Sequence, residues 1–133
     1  MDPNVVKRYA QCLAENGLEG FHLLIGLVPL RSARSARWIR EKLLGSIIPD
    51  TVIERLEQAN DPIREGRKIC SEMVEELSET SGVAGVHIMA PGNDAGLAEA
   101  VSGAARIAQR KARKATGVRT GEESSGAWLL HLQ

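Results

Sequence analysis

Aromatic residues are scarce in this chain. Phe, Tyr and Trp together make up 3% of its 133 residues, which disfavours a surface that binds nucleic acid by stacking bases on aromatic rings. Neither sign of charge is in excess, because 17 basic and 17 acidic residues balance to a formal net charge of zero. The chain therefore has no net positive charge whose electrostatic field would attract nucleic acid or an anionic membrane.

Cysteines and long apolar segments are also few. The two cysteines, Cys12 and Cys70, each fall in an amphipathic pattern, which favours two reduced, buried side chains over a disulfide. The first residues show no basic-then-apolar signal segment, and no apolar run approaches the roughly 18 residues of a membrane span. We expect a soluble, cytoplasmic protein with no membrane partner.

Two apolar segments, each followed by a loop and a helix of small residues, predict an α/β fold. Residues 21–28 have the pattern of a strand buried on both faces, and residues 83–90 have the pattern of another. Strands that alternate with helices are typical of a parallel sheet. In such folds the loops at the carboxyl ends of the strands carry the chemistry, so function is expected after these two segments.

Two of the predicted helices have the same start signal. Asp2-Pro3 and Asp61-Pro62 each place a capping aspartate before a proline at the first helical position. The helix that follows Asp61-Pro62 has the clearest apolar face of the chain. These two starts are therefore expected to be helix boundaries.

Other segments are short or irregular. Residues 45–50 fit a brief barrel strand stopped by Pro49, after which Asp50 can cap a short helix. From residue 116 onward no period is visible until the apolar Trp128-Leu129-Leu130, and we expect a flexible tail over 116–133 after a single domain over 1–115. A closed (β/α)8 barrel needs roughly 200–250 residues. Because a helix is the first predicted element, part of a barrel fits better than a small open sheet.

Several separated motifs agree in order and spacing with one enzyme family. These segments are Pro29–Trp38, Ile48–Asp50, Ile53–Leu56, Asp61-Pro62, Glu65–Arg67 and Gly82–Pro91. Over about residues 2–102 the chain resembles the carboxyl-terminal half of methylenetetrahydrofolate reductase, in its reductase-like branch. The resemblance implies a partial (β/α)8 TIM barrel, consisting of the last three βα units with a basic C-terminal helix and a disordered tail.

The resemblance also implies an activity. The family reduces 5,10-methylenetetrahydrofolate to 5-methyltetrahydrofolate, with FAD as cofactor and NAD(P)H as co-substrate. Its amino-terminal half supplies the catalytic glutamate and nearly all flavin contacts, and none of those motifs occurs here. The chain is therefore expected to hold no catalytic residue and to contribute the folate side of the pocket. It would need a complementary barrel half or would self-associate, because the strand over 21–28 would otherwise keep an exposed edge.

The expected folate-binding residues follow the two main strands. In the family, the helix after the first strand presents a polar and an aromatic residue to the pterin, and these fall near Ser35 and Ile39, with Trp38 adjacent. Each of them also fits ordinary helix–sheet packing. Three further residues lie where the second strand meets the loop that borders the folate tail: Met89, Pro91 and Asn93.

Arginines recur every three residues along the first of these helices. They are Arg31, Arg34, Arg37 and Arg40. Guanidinium groups suit the glutamate carboxylates of folate, and Arg34 and Arg37 are the residues expected to bind them. The alternative is a solvated helix face whose charge is balanced by Glu41 and Glu54.

The remaining candidates favour structural roles. His87 lies alone in its strand with no partner at metal-ligand spacing, so it indicates a core histidine and no metal site. The basic run over 106–114 is typical of a solvated terminal helix, and nucleic acid is not an expected partner. A second function class remains open: a non-catalytic α/β fragment or scaffold module that pairs with a partner chain.

Overall fold

The computed structural model describes residues 2–18, 20–89 and 129–132, the last of these as backbone only. Within these residues the chain forms four helices and three strands. Their order is α1 (Pro3–Glu15), β1 (Leu23–Leu27), α2 (Ala33–Lys42), α3 (Asp50–Gln58), α4 (Pro62–Ser78), β2 (Val83–Ile88) and β3 (Leu129–Leu132).

The strands form one parallel sheet in the order β1–β2–β3. The three helices between β1 and β2 make this pair a βαβ unit, and the predicted α/β class is confirmed. Leu27 of β1 is in register with Ile88 of β2, and the backbone N–H of Met89 donates to the Leu27 carbonyl at 2.9 Å. Among the described residues no strand pairs with the other edge of β1.

Short polar side chains fix the starts of α1 and α4. Asp2 accepts from the backbone N–H of Asn4 at 2.9 Å, and Asp61 accepts from that of Arg64 at 3.0 Å. Each cap satisfies a backbone donor that the first helical turn leaves unpaired. Both predicted aspartate–proline starts are therefore confirmed.

Two apolar clusters form the core. The first lies between the sheet and α4, and the second joins α2, α3, α4 and the segment after β1. Buried members of the first are Leu27, Cys70, Met73, Val74, Leu77, Val83, Val86 and Ile88. Buried members of the second are Leu30, Ala33, Ala36, Ile48, Ile53, Leu56 and Ile69. Because α4 contributes to both clusters, it ties the sheet to the two shorter helices.

The closest contact of α4 is at Gly66. A Cβ atom added there would lie 1.7 Å from the carbonyl oxygen of Leu30 and 2.7 Å from its carbonyl carbon. Only a residue without a side chain allows the helix backbone to approach the segment after β1 so closely. Leu30 is itself 2% exposed and packs in the second core cluster, so moving this segment away from Gly66 would disturb that packing.

The predicted strand over 45–50 is wrong. Residues 43–49 form a turn and an irregular segment, in which Gly45 has φ +81°. Ile48 is buried against α2 and α3, whereas Ile47 is half exposed. The two isoleucines therefore do not belong to a strand: Ile48 packs against helices, and Ile47 does not. Pro49, not Asp50, occupies the cap position of α3 and supplies no side-chain hydrogen bond.

Two further expectations need correction. The tail was expected to be flexible, but Leu129–Leu132 form β3, so that expectation is wrong for these four residues. Cys12 was expected to be buried and is exposed, whereas Cys70 is buried as expected, and both thiols are free. Burial raises the pKa of the Cys70 thiol to about 12. The helix expected after β2, its basic run, the boundary near residue 115 and tail residues 116–128 and 133 lie outside the described residues.

The contact at Gly66 gives a direct stability test. We expect Gly66→Ala to lower the free energy of unfolding by on the order of 1–3 kcal/mol or more, because α4 must move away from a buried backbone carbonyl. This loss outweighs the gain of up to about 1 kcal/mol that alanine brings to a helix interior. Chemical denaturation measures the difference.

Gly20→Ala is the matched control, because no atom lies within 4 Å of a Cβ added at Gly20. Its effect should stay within about 0.5 kcal/mol of wild type. A Gly66→Ala protein as stable as this control would show that the close approach does not constrain the fold.

Candidate functional site

An apolar cleft lies at the carboxyl end of β1 and has a volume of about 240 Å³. Its walls are formed by β1, the first turns of α1, one residue of α2 and the turn before α3. Met73 of α4 and Met89, which follows β2, complete the lining. The lining residues are Asp2, Val5, Val6, Ile25, Gly26, Leu27, Val28, Leu30, Ile39, Gly45, Ser46, Ile47, Ile48, Met73 and Met89. This is the end of the sheet at which α/β folds place their ligands.

Met89 is held at the cleft by its backbone. Its N–H bonds to Leu27, which extends the β1–β2 ladder by one residue beyond β2. A Cβ atom added at Gly26 would lie 3.1 Å from the Met89 methyl carbon, so that methyl lies beside the strand where Gly26 has no side chain. Of the three residues expected at the end of the second strand, Met89 lies in the cleft, and Pro91 and Asn93 lie outside the described residues.

The structure distinguishes Ile39 from Trp38. Ile39 lines the cleft and packs against the second core cluster. Trp38 is 57% exposed and is absent from the cleft lining. Of these two neighbours on α2, the isoleucine is therefore the one that a ligand in this cleft would meet.

Ser35 is engaged within its own helix. Its hydroxyl donates to the carbonyl of Ser32 at 2.9 Å and accepts from the backbone N–H of Ser32 at 3.1 Å. The Ser32 hydroxyl in turn accepts from the backbone N–H of Ser35 at 3.1 Å, which completes a reciprocal cap. Ser35 thus fixes the start of α2 directly after the segment that leaves β1.

Two of the four arginines form ion pairs with acidic residues of α3. Arg37 forms an ion pair with Glu57, and Arg40 bonds to Asp50 at 2.6 Å. Arg31 and Arg34 are exposed, and neither has an ion pair within the described part of the chain. The basic flank is therefore divided: one half holds α2 against α3, and the other half faces solvent near the start of α2.

Arg55 is the centre of the most connected ion-pair group. It bonds to Glu72 through two nitrogens, at 2.6 and 3.1 Å, and to Glu65 at 2.6 Å. The hydrogen bonds to Glu72 raise the pKa of Arg55, and the hydrogen bond from Arg55 lowers the pKa of Glu72. Since this group joins α3 to α4, its role is to hold the two helices together.

A larger concavity lies at the opposite end of the sheet, between α1 and α4, with a volume of about 950 Å³. Its walls carry the exposed side chains of Leu18 and Phe21 and several glutamates of α4, and its base reaches Gly82 just before β2. Sequence reasoning did not identify this groove. The amino ends of parallel strands rarely carry the chemistry in such folds, and the smaller cleft is therefore the candidate site.

Sequence reasoning also missed part of the cleft. Val5 and Val6 lie in the helix predicted after Asp2-Pro3, and Met73 lies in the helix predicted after Asp61-Pro62. Ser46 and Ile47 lie in the predicted strand over 45–50. Their apolar periodicity predicts burial, but it does not reveal which of these residues meet at one opening. That information depends on how α1 and α4 pack beside β1.

The cleft offers few polar groups. Within the described residues Asp2 and Ser46 are its polar side chains, and none of its lining side chains is basic. It therefore suits an apolar or flat group and does not fit the diphosphate of a dinucleotide. His87 is half-buried in β2, opposite Gly26, and the described residues contain no group of three or more His, Cys, Asp or Glu that could hold a metal ion.

None of the described helices is long and apolar enough to cross a membrane. Comparison of the chain with protein-family models, with curated proteins and with solved structures gives no match.

The Arg55 group predicts how stability responds to acid. The pKa of Glu72 is lower in the folded state than its ordinary value of 4.5. The ionised Glu72 side chain therefore stabilises the folded state above pH 4.5, and this stabilisation is lost as the pH falls through the folded-state pKa. Glu72→Gln should therefore flatten the acid limb of a plot of unfolding free energy against pH. Urea titrations between neutral pH and pH 3 would show this.

Glu75→Gln is the control, since Glu75 lies on the same helix and has no ion pair among the described residues. It should leave the acid limb unchanged. A Glu72→Gln protein with the wild-type acid limb would mean that the Arg55 pairs do not persist in solution.

Proposed function

We propose that this chain is the carboxyl-terminal portion of a flavin-dependent methylenetetrahydrofolate reductase, to which it contributes the folate side of the pocket. One observation carries the proposal: the segment after β1 and the end of β2 meet at a single apolar cleft. Ile39 and Met89, both expected from the resemblance, line it together. Such a cleft suits the flat p-aminobenzoyl ring of a folate better than its glutamate carboxylates.

The unpaired edge of β1 supports a missing barrel half. A closed barrel gives every strand two neighbours, whereas β1 pairs with β2 alone among the described strands. Residues of β1 carry no charge that would discourage a further strand from pairing there. The partner in this proposal is the complementary half, and self-association of the chain is the alternative way to cover that edge.

The cofactor is assigned to the other half. FAD would supply the hydride that reduces the folate, but the cleft described above does not fit its diphosphate. No step through the flavin is therefore derived from these residues, and the binding of NAD(P)H is assigned to the other half as well. The proposal places the protein in the cytoplasm, where thiols such as Cys12 and Cys70 stay reduced.

A scaffold module is the second candidate function. It is favoured by the pairing of Arg37 and Arg40 with α3 and by the use of Ser35 as a cap, since these residues then hold the fold rather than a ligand. A scaffold would bind its partner through the same free edge of β1. It would bind no folate.

Co-expression tests the choice between these functions. The chain is produced with a candidate amino-terminal barrel half encoded by a neighbouring reading frame, and the purified complex is scanned for visible absorption. The reductase proposal predicts a yellow complex that is bleached by NADH or NADPH and reoxidised by methylenetetrahydrofolate. A colourless complex that binds no folate would support the scaffold function instead.

The arginine flank gives a second test in that complex. Arg34→Ala should weaken the binding of a polyglutamylated folate by about 1–3 kcal/mol, because it removes a hydrogen bond to a charged carboxylate. The affinity for a folate without the glutamate tail should not change. Arg37→Ala should act in the same direction but less strongly, because Glu57 already holds that side chain.

Arg40→Ala is the control for the helix itself, since it removes the pair with Asp50. It should change the affinities of both ligands equally or not at all. If Arg34→Ala weakened both ligands to the same extent, its effect would be on the helix and not on carboxylate binding.

A further inference from the structure

The groove between α1 and α4 has two walls of different chemistry. The α1 wall is mostly apolar and consists of Lys7, Ala10, Gln11, Leu13 and Ala14, with Leu18 and Phe21 extending it beyond the helix. The α4 wall carries four glutamates, at positions 72, 75, 76 and 79. The lining therefore contains four acidic side chains and one basic side chain.

An exposed apolar pair lies at one end of the groove. Phe21, the single phenylalanine of the chain, is 66% exposed, and Leu18 is 38% exposed. The backbone N–H of Phe21 donates to the Leu18 carbonyl at 3.1 Å, which holds the two residues side by side. An exposed apolar patch with a charged rim is typical of a surface that contacts another protein.

The acidic wall is only partly neutralised. Glu76 pairs with Lys7 at 2.7 Å, and Glu72 pairs with Arg55 at 2.6 Å. Glu75 is exposed and has no ion pair among the described residues. A partner that brings basic side chains to this wall would therefore be attracted, and an acidic partner would be repelled.

The shape of the groove favours a helix as the occupant. Both walls are helices, whose backbone groups bond within themselves, so the walls offer no strand edge to which an extended peptide could add. Glu72 and Glu79 are separated by about 10 Å along α4, which is close to two helical turns. A helix satisfies its own backbone hydrogen bonds and can lay an apolar stripe of that length against Leu18 and Phe21.

We propose that this groove is a docking site for a basic amphipathic helix of a partner protein. The apolar face of that helix packs on Leu18 and Phe21, and its lysine or arginine side chains lie beside Glu75 and Glu79. The groove is at the amino ends of β1 and β2 and shares no lining residue with the apolar cleft. The docking site therefore does not depend on the proposed function.

Designed peptides test the proposal on the full chain. The probe is a labelled helix of about 15 residues with leucine along one face and lysine along the other, and fluorescence anisotropy measures its binding. One control peptide carries glutamate in place of lysine, and a second has the leucines scattered around the helix. The lysine peptide should bind at micromolar concentration and about tenfold more weakly at high salt, because salt screens exposed charges. Neither control should bind.

Variants of the chain locate the bound peptide. Phe21→Ala should weaken its binding at least about tenfold, because an aromatic anchor is lost. Leu44→Ala is the matched control, since Leu44 is fully exposed and lies outside the groove. Glu75→Lys should weaken the lysine peptide about tenfold and strengthen the glutamate peptide, a reversal that damage to the fold would not produce. Glu54→Lys, on α3, should leave both affinities near wild type.

Four outcomes would overturn the proposal. The first is equal binding, or no binding, of the lysine and glutamate peptides, and the second is binding that Phe21→Ala does not weaken. The third is a dimer in sedimentation velocity that Phe21→Ala dissociates, because the occupant would then be a second copy of the chain. The fourth is binding that appears only after Arg106, Arg110 and Arg113 are replaced by glutamine, because the chain's own basic run would then fill the groove.

Discussion

The contact between Gly66 and Leu30 is the constraint on which the rest of the structure depends. It places the backbone of α4 against the segment that leaves β1, at a distance that no side chain at position 66 would allow. The direction in which the chain leaves β1 is thereby fixed, and α2 begins at Ser32, two residues later. Because α4 also packs on the sheet, one glycine sets the relation between the strands and the helix that carries the candidate residues.

The sequence predicted the features that depend on local signals. Both aspartate–proline pairs start helices, because the capping bond and the fixed φ of proline need no distant partner. The strands β1 and β2 were also predicted, since apolar runs of that length between turn residues fit a buried parallel sheet. β1 begins two residues later and ends one residue earlier than predicted, whereas β2 begins at the predicted residue and ends two residues earlier.

The features that depend on tertiary contacts were not predicted. Residues 45–50 resemble a strand locally, but Ile48 is buried by helices and Gly45 requires a turn. The choice between Ile39 and Trp38 depends on the rotation of α2 about its axis, which its cap and its pairs with α3 determine. For β3, the sequence offers only a short apolar segment, and its pairing depends on an edge of β2 that is distant along the chain.

The candidate site and the surfaces around it have different chemistry. The cleft itself is apolar, and the charges near it are used mainly between helices: Arg37 and Arg40 toward α3, and Arg55 toward α4. Under the proposed function, a folate would enter by its ring system, and its carboxylates would meet Arg31 and Arg34, which have no ion pair among the described residues. Residues of β1 line the cleft, and among the described residues no strand pairs with the other edge of β1. Under the proposed function, the partner that completes the sheet would therefore bind next to the strand that lines the pocket.

Hydrogen exchange at β1 tests the central claim, that this chain is one part of a larger barrel, most directly. Amide exchange over Leu23–Leu27 is measured in the chain alone and in its complex with the complementary half. The account predicts that the amides facing the free edge become protected in the complex, while those already bonded to β2 keep their rates. Unchanged exchange throughout β1 in a stable complex would contradict it, because the partner would then be bound elsewhere and no barrel would have formed.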